Sequence, residues 1–291
     1  AFLGVFATWN AAFFPAGDVL LLFVVVGVVL FLTRSWSDRA IGVAAVVLLL
    51  QPVEWYHYIA NLINPAHRLP DLKVAEMYGE VADYTKAGNW RDFLLGNVTL
   101  GQKASFLWAV NAGRFVQTAG LFLLGFFIGR KQLFMTNEKN IAFGTKVLII
   151  SAISFAPLYT LKELVMENDP IVQQTVGTAF DMWQKLAFTL VLVASFILLY
   201  QHKNFSKAVA GLRFYGKMSL TNYISQSIIG VFIYFPIGLN LTPYCGYTFS
   251  LLVGFLIFLL QLRFCKWWLA RHKQGPLEYI WHKCTWIGTG K

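Results

Sequence analysis

The chain has 291 residues, of which 57% are hydrophobic and only 13% are charged. A soluble domain carries about twice that share of charged residues, so this composition excludes an ordinary soluble protein. The formal net charge of +10 is concentrated in loops between apolar segments. Membrane topology and anionic lipid headgroups account for such a distribution, and we expect no nucleic-acid partner.

Long apolar segments dominate the chain, and each is about long enough to cross a hydrocarbon core of roughly 30 Å. These segments are 18–34, 40–62, 105–129, 142–164, 176–200, 217–238 and 245–265. The apolar stretch Phe2–Phe14 reads as the end of a further span whose beginning is missing. The sequence therefore predicts an all-α fold, a polytopic transmembrane helix bundle with about seven complete spans plus a partial N-terminal one.

The loops between these segments alternate in charge. The basic loops are 34–39, 130–146 and 203–217, together with the tail from Arg263 onward, whereas the intervening loops are neutral, acidic or charge-balanced. Short loops rich in Lys and Arg stay on the cytoplasmic side of a membrane. One orientation therefore fits every loop, and it places the C-terminus in the cytoplasm.

Two regions differ from the membrane spans. The stretch 63–104 carries five basic and five acidic residues, and its apolar residues recur at helical spacing. We interpret it as an external, partly helical cap on the membrane surface. An equal alternative is a solvated surface loop that has no role in ligand binding. Near the end, Pro276 opens an amphipathic helix at the cytoplasmic interface. The predicted organisation is a bundle over 1–265, followed by a cytoplasmic interfacial helix and tail over 266–291.

Ionisable and polar residues inside the apolar segments are the candidate functional residues, because such groups are costly in a bilayer and usually face the bundle interior. Glu54 and His57 lie three residues apart on one helical face, so His57 is the candidate catalytic base, oriented by Glu54. The candidate substrate-binding residues are Asp18, Asn111, Arg114, Asp181, Lys185, Asn222 and Gln226. Arg114 is predicted near the midplane, where it would bind an anionic group. The alternative for each residue is structural: a helix pair, a snorkelling side chain or a hydrogen bond between helices.

Motifs of soluble enzymes are missing from the sequence. It has no Gly-rich phosphate loop, no nucleophile elbow and no metal-ligand spacing. Its three cysteines are widely separated. We therefore expect neither a disulfide framework nor a metal site.

Two motifs in the C-terminal third carry a family resemblance. Gly216–Ser227 reads GKMSLTNYISQS, and Gly275–Trp281 reads GPLEYIW. Both strings resemble signatures of the YeiB-like family of bacterial multi-pass membrane proteins, whose biochemical function is not established. Gly17–Leu20 and the stretch from Arg114 to Arg130 are similar to further parts of that family. The sequence departs from the family pattern in two respects. It lacks the family's first helices, which carry an Arg-Gly pair, and it has no histidine shortly before Gly17.

The resemblance implies a location in the bacterial plasma (inner) membrane and a distant relation to membrane-embedded acyltransferases. Acyl-CoA would then be the donor, and a small molecule or envelope component the acceptor, with membrane lipids as further partners. The leading hypothesis is an acyltransferase-like membrane protein with an outward-facing polar cavity. The alternatives are a transporter or small-ligand-binding membrane protein, and an accessory subunit of a membrane complex. The sequence leaves the oligomeric state open.

Overall fold

The computed structural model describes residues 2–286, and within that range every regular element is a helix. The helices are α1 (Phe2–Phe13), α2 (Leu20–Thr33), α3 (Asp38–Leu49), α4 (Pro52–Ile63), α5 (Val74–Lys86), α6 (Trp90–Gly96), α7 (Gln102–Asn111), α8 (Arg114–Arg130), α9 (Glu138–Met166), α10 (Pro170–Val172), α11 (Thr178–Tyr200), α12 (Lys203–Ala208), α13 (Leu212–Lys217), α14 (Ser219–Tyr234), α15 (Tyr247–Leu269) and α16 (Pro276–Thr285). Turns of π-helix occupy Asn97–Gly101 and Gln173–Gly177. The predicted all-α class is confirmed for the described residues. Residue 1 and the last part of the predicted tail, 287–291, lie outside them.

Three stretches of helix are long and apolar enough to cross a membrane: Glu138–Met166, Pro170–Tyr200 and Tyr247–Leu269. They contain the predicted segments 142–164, 176–200 and most of 245–265. Two pairs of helices, each bent at a short break, are also long and apolar enough if each pair counts as one span: Asp38–Leu49 with Pro52–Ile63, and Trp90–Asn111 with Arg114–Arg130. Counted in this way, the described residues contain up to five spans. The structure therefore has fewer such helices than the seven predicted.

The missing spans have physical causes. A helix rises about 1.5 Å per residue, so α2 with 14 residues and α14 with 16 fall short of a roughly 30 Å core. The predicted segment 40–62 is broken before Pro52, which has no N–H and whose ring clashes with the carbonyl four residues earlier. The predicted segment 105–129 is broken at Gly113, which adopts a left-handed conformation.

The chain divides into two compact units. Unit 1 consists of the described residues of Ala1–Val24, Lys73–Leu107 and Lys207–Lys291. The core formed by its described residues includes apolar clusters that centre on Phe6 and Ile224, on Met77 and Val81, and on Phe93. Within this unit α5 and α6 form the helical part of the predicted cap. Its external position, like the predicted boundary at residue 265, stays a prediction.

Unit 2 consists of Val25–Leu72 and Trp108–Ser206. In this unit α9 packs along α11, and α3 packs along α8. The second contact is close because Gly120 of α8 has no side chain: a methyl group there would lie 2.8 Å from Leu49 Cγ. Ile41, Ala45 and Leu123 are buried between α3 and α8.

Candidate functional site

Arg114 is the first residue of α8 and follows the left-handed Gly113, whose φ is +62°. Its Nη1 donates to Gln117 Oε1 at 3.0 Å, and its guanidinium carbon lies 5.5 Å from the centre of the Trp108 ring. Its Nε is buried without a hydrogen-bond partner. None of the ion pairs found between described residues involves Arg114. Arg114 therefore has donor capacity that the surrounding protein does not use.

A cavity of about 350 Å³ opens beside Arg114 in unit 2. Its polar lining is Arg114, Gln117, Gln184, Lys185 and Thr189, and its apolar lining is Leu121, Leu186 and Phe188. The volume lies at the lower end of the range for small-molecule sites in proteins, which is about 300–1,000 Å³. Two cationic side chains and no carboxylate line it, so the cavity has the electrostatic character of a site for a small anion.

Asp181 lies next to this cavity and holds two lysines. Lys185 Nζ lies 2.5 Å from Asp181 Oδ2, and Lys162 Nζ, from α9, lies 3.7 Å from Oδ1. The predicted Asp181–Lys185 pair is thus confirmed as an ion pair. Lys185 remains half-exposed. It can therefore present positive charge to the cavity while its Nζ stays paired with Asp181.

The predicted catalytic residue Glu54 lies at the break between α3 and α4. It is buried, and its Oε2 has no hydrogen-bond partner. A side chain on Gly113 would collide with this carboxylate, which shows that the two breaks of unit 2 lie against each other. Gln51, at the break itself, is fully buried in a left-handed conformation, and its amide also lacks a partner.

His57 contacts a second histidine in this structure. Its Nδ1 lies 3.0 Å from His67 Nε2, and the two rings stack with their centres 5.3 Å apart. Asn61 fixes this turn of the chain by donating to the His67 carbonyl at 3.0 Å. His67 carries no signal in the sequence pattern, because only the turn after Asn64 brings it back against α4. The catalytic role of Glu54 and His57 stays a prediction.

The remaining predicted site residues lie elsewhere. Asn111 is exposed at the end of α7 and does not line the cavity. Asn222 and Gln226, on α14, belong to unit 1. Asn222 Nδ2 lies 3.3 Å from Cys265 Sγ, and Gln226 Nε2 donates to Tyr215 and to Gln261 Oε1. These hydrogen bonds join α13, α14 and α15, so Asn222 and Gln226 have the structural role of polar residues that hold helices together.

Asp18 also belongs to unit 1 and lies between α1 and α2. Asn10 Nδ2 donates to its Oδ1 at 2.8 Å, and the Leu20 N–H donates to the same atom at 3.2 Å. Tyr223 of α14 donates to it at 3.4 Å. Burial raises the pKa of the Asp18 carboxyl above its usual range, although these hydrogen bonds act in the opposite direction.

The two motifs of the C-terminal third meet in unit 1. The Thr221 N–H donates to Glu278 Oε1 at 3.0 Å, and the Thr221 hydroxyl donates to Glu278 Oε2. The Leu277 N–H in turn donates to Thr221 Oγ1 at 3.2 Å. The motifs GKMSLTNY and GPLEYIW therefore form one structural unit, in which α16 is fastened to the start of α14.

Metal binding finds no support in the geometry of the described residues. No group of three or more His, Cys, Asp or Glu side chains among residues 2–286 is placed to hold a metal ion.

A family model described as "Protein of unknown function (DUF418)" matches residues 128–288, more than half of the chain. The chain belongs to the DUF418 family. The predicted membership of a YeiB-like family is thereby confirmed. Both C-terminal motifs lie within the DUF418 match, whereas Asp18, Glu54, His57 and Arg114 precede it.

Three relatives are similar to short parts of the chain. The uncharacterized protein YxaH of Bacillus subtilis is 26% identical over 95 residues, 33% of this chain and 24% of YxaH. An uncharacterized 39.9 kDa protein from the amylase 3' region of Bacillus acidopullulyticus is 35% identical over 91 residues, 31% of this chain and 25% of that protein. The uncharacterized protein YeiB of Escherichia coli is 31% identical over 81 residues, 27% of this chain and 20% of YeiB.

The chain thus matches a quarter or less of the length of each of these relatives. No solved structure matches the chain significantly.

Proposed function

We propose that this chain is part of a multi-pass protein of the bacterial plasma membrane that binds a small anionic ligand in the cavity beside Arg114. The ligand's anionic group, a carboxylate or a phosphate, would accept hydrogen bonds from the Arg114 guanidinium. Lys185 would contribute the second positive charge, and Leu121 and Phe188 would contact the apolar part of the ligand.

The observation that carries this proposal is the unpaired guanidinium of Arg114. A cation in an apolar bundle is costly unless it is paired, and most such groups mark a functional site. Arg114 keeps one unpartnered N–H, has no carboxylate partner among the described residues and lines a cavity of about 350 Å³. Planar guanidinium groups bind carboxylate and phosphate through two parallel hydrogen bonds, which makes an oxyanion the favoured ligand.

Membrane insertion is supported by the exposed faces of the long helices. In the apolar windows of Glu138–Met166, Pro170–Tyr200 and Tyr247–Leu269, only 6%, 17% and 11% of the residues are buried within the protein. Ile153 is 68% exposed and Leu251 is 73% exposed. Water would not stabilise such surfaces, but lipid would. The basic loops favour the orientation with a cytoplasmic C-terminus.

Transport of the anion is a second candidate function, and the two helix breaks favour it. Transporters bind substrates where discontinuous helices leave backbone groups free near the centre of a bundle. In unit 2 the break at Gln51 and the break at Gly113 meet through Glu54, and Arg114 follows directly.

Acyl transfer has less support, because His57 contacts His67 whereas the Glu54 carboxylate lies against Gly113.

Ligand binding to the purified full-length protein tests the proposal. We would titrate the protein in detergent with inorganic phosphate, acetate and acyl-CoA, and measure the shift of its thermal unfolding midpoint. We expect a saturable rise with at least one of these anions. Arg114→Gln should weaken the binding about 10- to 100-fold, since a hydrogen bond to a charged group contributes about 1.5–3 kcal/mol.

Arg39→Gln is the matched control, because Arg39 is an exposed arginine of the same unit and its loss removes the same charge. It should leave the affinity unchanged. An equal loss in both variants would mean non-specific attraction, and no saturable binding of any of the three anions would contradict the proposal. Uptake of the bound anion into proteoliposomes that contain the protein would support transport as well as binding.

A further inference from the structure

Asp18 and Asn10 form a polar pair inside unit 1. Asn10 is fully buried, and Asp18 is 7% exposed. One hydrogen bond of 2.8 Å joins Asn10 Nδ2 to Asp18 Oδ1. The two other oxygens of the pair, Asn10 Oδ1 and Asp18 Oδ2, are both buried and have no hydrogen-bond partner. A carboxylate left in this condition is costly, because it has lost water without gaining a counter-ion.

We propose that Asp18 and Asn10 constitute a proton-binding site. One proton from solvent forms an O–H bond on Asp18 Oδ2, and the carboxylate becomes a neutral carboxylic acid. That hydroxyl donates to Asn10 Oδ1, while Asn10 Nδ2 continues to donate to Asp18 Oδ1. The acid and the amide then form a cyclic pair with two hydrogen bonds, and a single proton satisfies both unpartnered oxygens.

A proton fits this site better than a metal cation does. The pair offers only one carboxylate and one amide oxygen, whereas Ca²⁺ takes about 6–8 oxygen ligands and Mg²⁺ demands six in an octahedron. No group of three His, Cys, Asp or Glu side chains suited to a metal lies among residues 2–286. Both side chains are almost completely buried, so little space remains for an ion with its water.

No cationic side chain contacts the Asp18 carboxyl, and the backbone N–H groups of Leu20 and Leu21 at the start of α2 favour its charged form less than burial disfavours it. Helices α1, α2 and α14 carry no charged side chain. The titratable group in contact with the carboxyl is the Tyr223 phenol. Among the groups on neighbouring elements, Tyr78 donates to the Ala16 carbonyl and Glu278 of α16 is bonded to Thr221. The charged groups Arg91, Asp92, Lys103 and Lys283 are exposed, as are Tyr279 and His282 of α16, and Cys284 is partly exposed. Burial raises the pKa of Asp18, in agreement with the neutral form.

The sign of the pH effect follows from this burial. A carboxyl whose pKa is raised in the folded state contributes stability that is complete below its unfolded pKa, about 4, and is lost as the pH rises through the folded pKa. Asp18→Asn is the neutral isostere of the acid, because its amide can donate to Asn10 Oδ1 at any pH. The variant therefore removes the contribution of Asp18 to the pH dependence of stability, and it keeps the two hydrogen bonds with Asn10.

Thermal unfolding of the full-length protein and Asp18→Asn between pH 4 and pH 9 tests the site. We expect similar midpoints near pH 4 and a midpoint for the variant that exceeds that of the wild type by a few degrees at pH 9. Asp83→Asn, which changes an exposed carboxylate of α5, should follow the wild type throughout. A constant difference between Asp18→Asn and the wild type at every pH would overturn the proposal.

Infrared spectroscopy of the wild type provides a second readout that does not depend on how well the variant folds. At pH 7 we expect the C=O band of a protonated carboxylic acid, lost in Asp18→Asn and kept in Glu54→Gln. Absence of an Asp18-dependent band at pH 7 would overturn the proposal. A saturable stabilisation by NaCl over choline chloride, present in the wild type and lost in Asp18→Asn, would also overturn it, because the site would then hold Na⁺.

Discussion

At the scale of single residues, Gly113 is the position where backbone conformation and the candidate site depend on each other. Its left-handed φ breaks the helix before Arg114, and its missing side chain leaves room for the Glu54 carboxylate. Arg114 becomes the first residue of α8 because of this break. A continuous helix would give Arg114 another direction, and it would remove the space that Glu54 occupies.

We predict that Gly113→Ala destabilises the protein. The left-handed conformation costs an alanine about 1–2 kcal/mol, and the added methyl group would also displace Glu54. Thermal unfolding in detergent would show a lower midpoint, and the affinity for the anion of the proposed site would fall as well.

Gly125→Ala, in the same helix, is the matched control. Gly125 is exposed, and no atom lies within 4 Å of the position of its added methyl group. Alanine is favoured over glycine inside a helix by about 0.5–1 kcal/mol, so this variant should be as stable as the wild type or slightly more stable. Equal effects of the two substitutions would contradict the role assigned to Gly113.

At the scale of secondary-structure elements, the break between α3 and α4 is closed by a side chain from α11. Pro52 cannot donate to the Leu48 carbonyl, which accepts from the Gln51 N–H at 3.1 Å instead. The Leu49 carbonyl accepts from Trp183 Nε1 at 2.8 Å. The Trp183 ring also stacks on Trp55 of α4, with the ring centres 6.1 Å apart. Trp183 thereby fastens both sides of the break to α11.

We predict that Trp183→Phe lowers the free energy of unfolding by about 1–3 kcal/mol, because it leaves the Leu49 carbonyl without its donor while a ring remains against Trp55. Denaturant unfolding of the full-length protein would measure this loss. Trp36→Phe, which changes a side chain that is 45% exposed in the same unit, should stay within about 0.5 kcal/mol of the wild type. A Trp183→Phe variant as stable as this control would show that the hydrogen bond does not hold the break.

At the scale of the whole molecule, the proposed orientation assigns each cysteine to a compartment. Cys245 lies between α14 and α15 and is external in this orientation, whereas Cys284, in α16, is cytoplasmic. Both are partly exposed, and Cys265 is fully buried beside Asn222.

We predict that a membrane-impermeant maleimide labels Cys245 in spheroplasts and labels Cys284 only after permeabilisation. Cys265 should react only after the protein is denatured, because its thiol is buried. Variants that retain a single cysteine, analysed by the mass of the labelled protein, separate the three signals. Labelling of Cys284 in intact spheroplasts would reverse the proposed orientation.

The sequence by itself determined the helical class, the family and the ion pair between Asp181 and Lys185. These features depend on local spacing: apolar runs of about 20 residues, motifs of adjacent residues, and two side chains one helical turn apart. The apolar pattern also located the long helices Glu138–Met166, Pro170–Tyr200 and Tyr247–Leu269 to within a few residues. Pro157 is the one proline inside the predicted segments 142–164, 176–200 and 245–265, and α9 accommodates it.

Only the tertiary structure decided where the other predicted spans break and which polar residues meet. A left-handed Gln51 and a left-handed Gly113 depend on packing between α3, α8 and α11, which no local pattern encodes. Three contacts join residues that are separated along the chain and meet only because the chain folds back on itself. They are those of His57 with His67, of Glu54 with Gly113 and of Thr221 with Glu278. Sequence spacing reports neighbours along one helix, whereas a site is assembled from several helices, and their packing fixes its geometry.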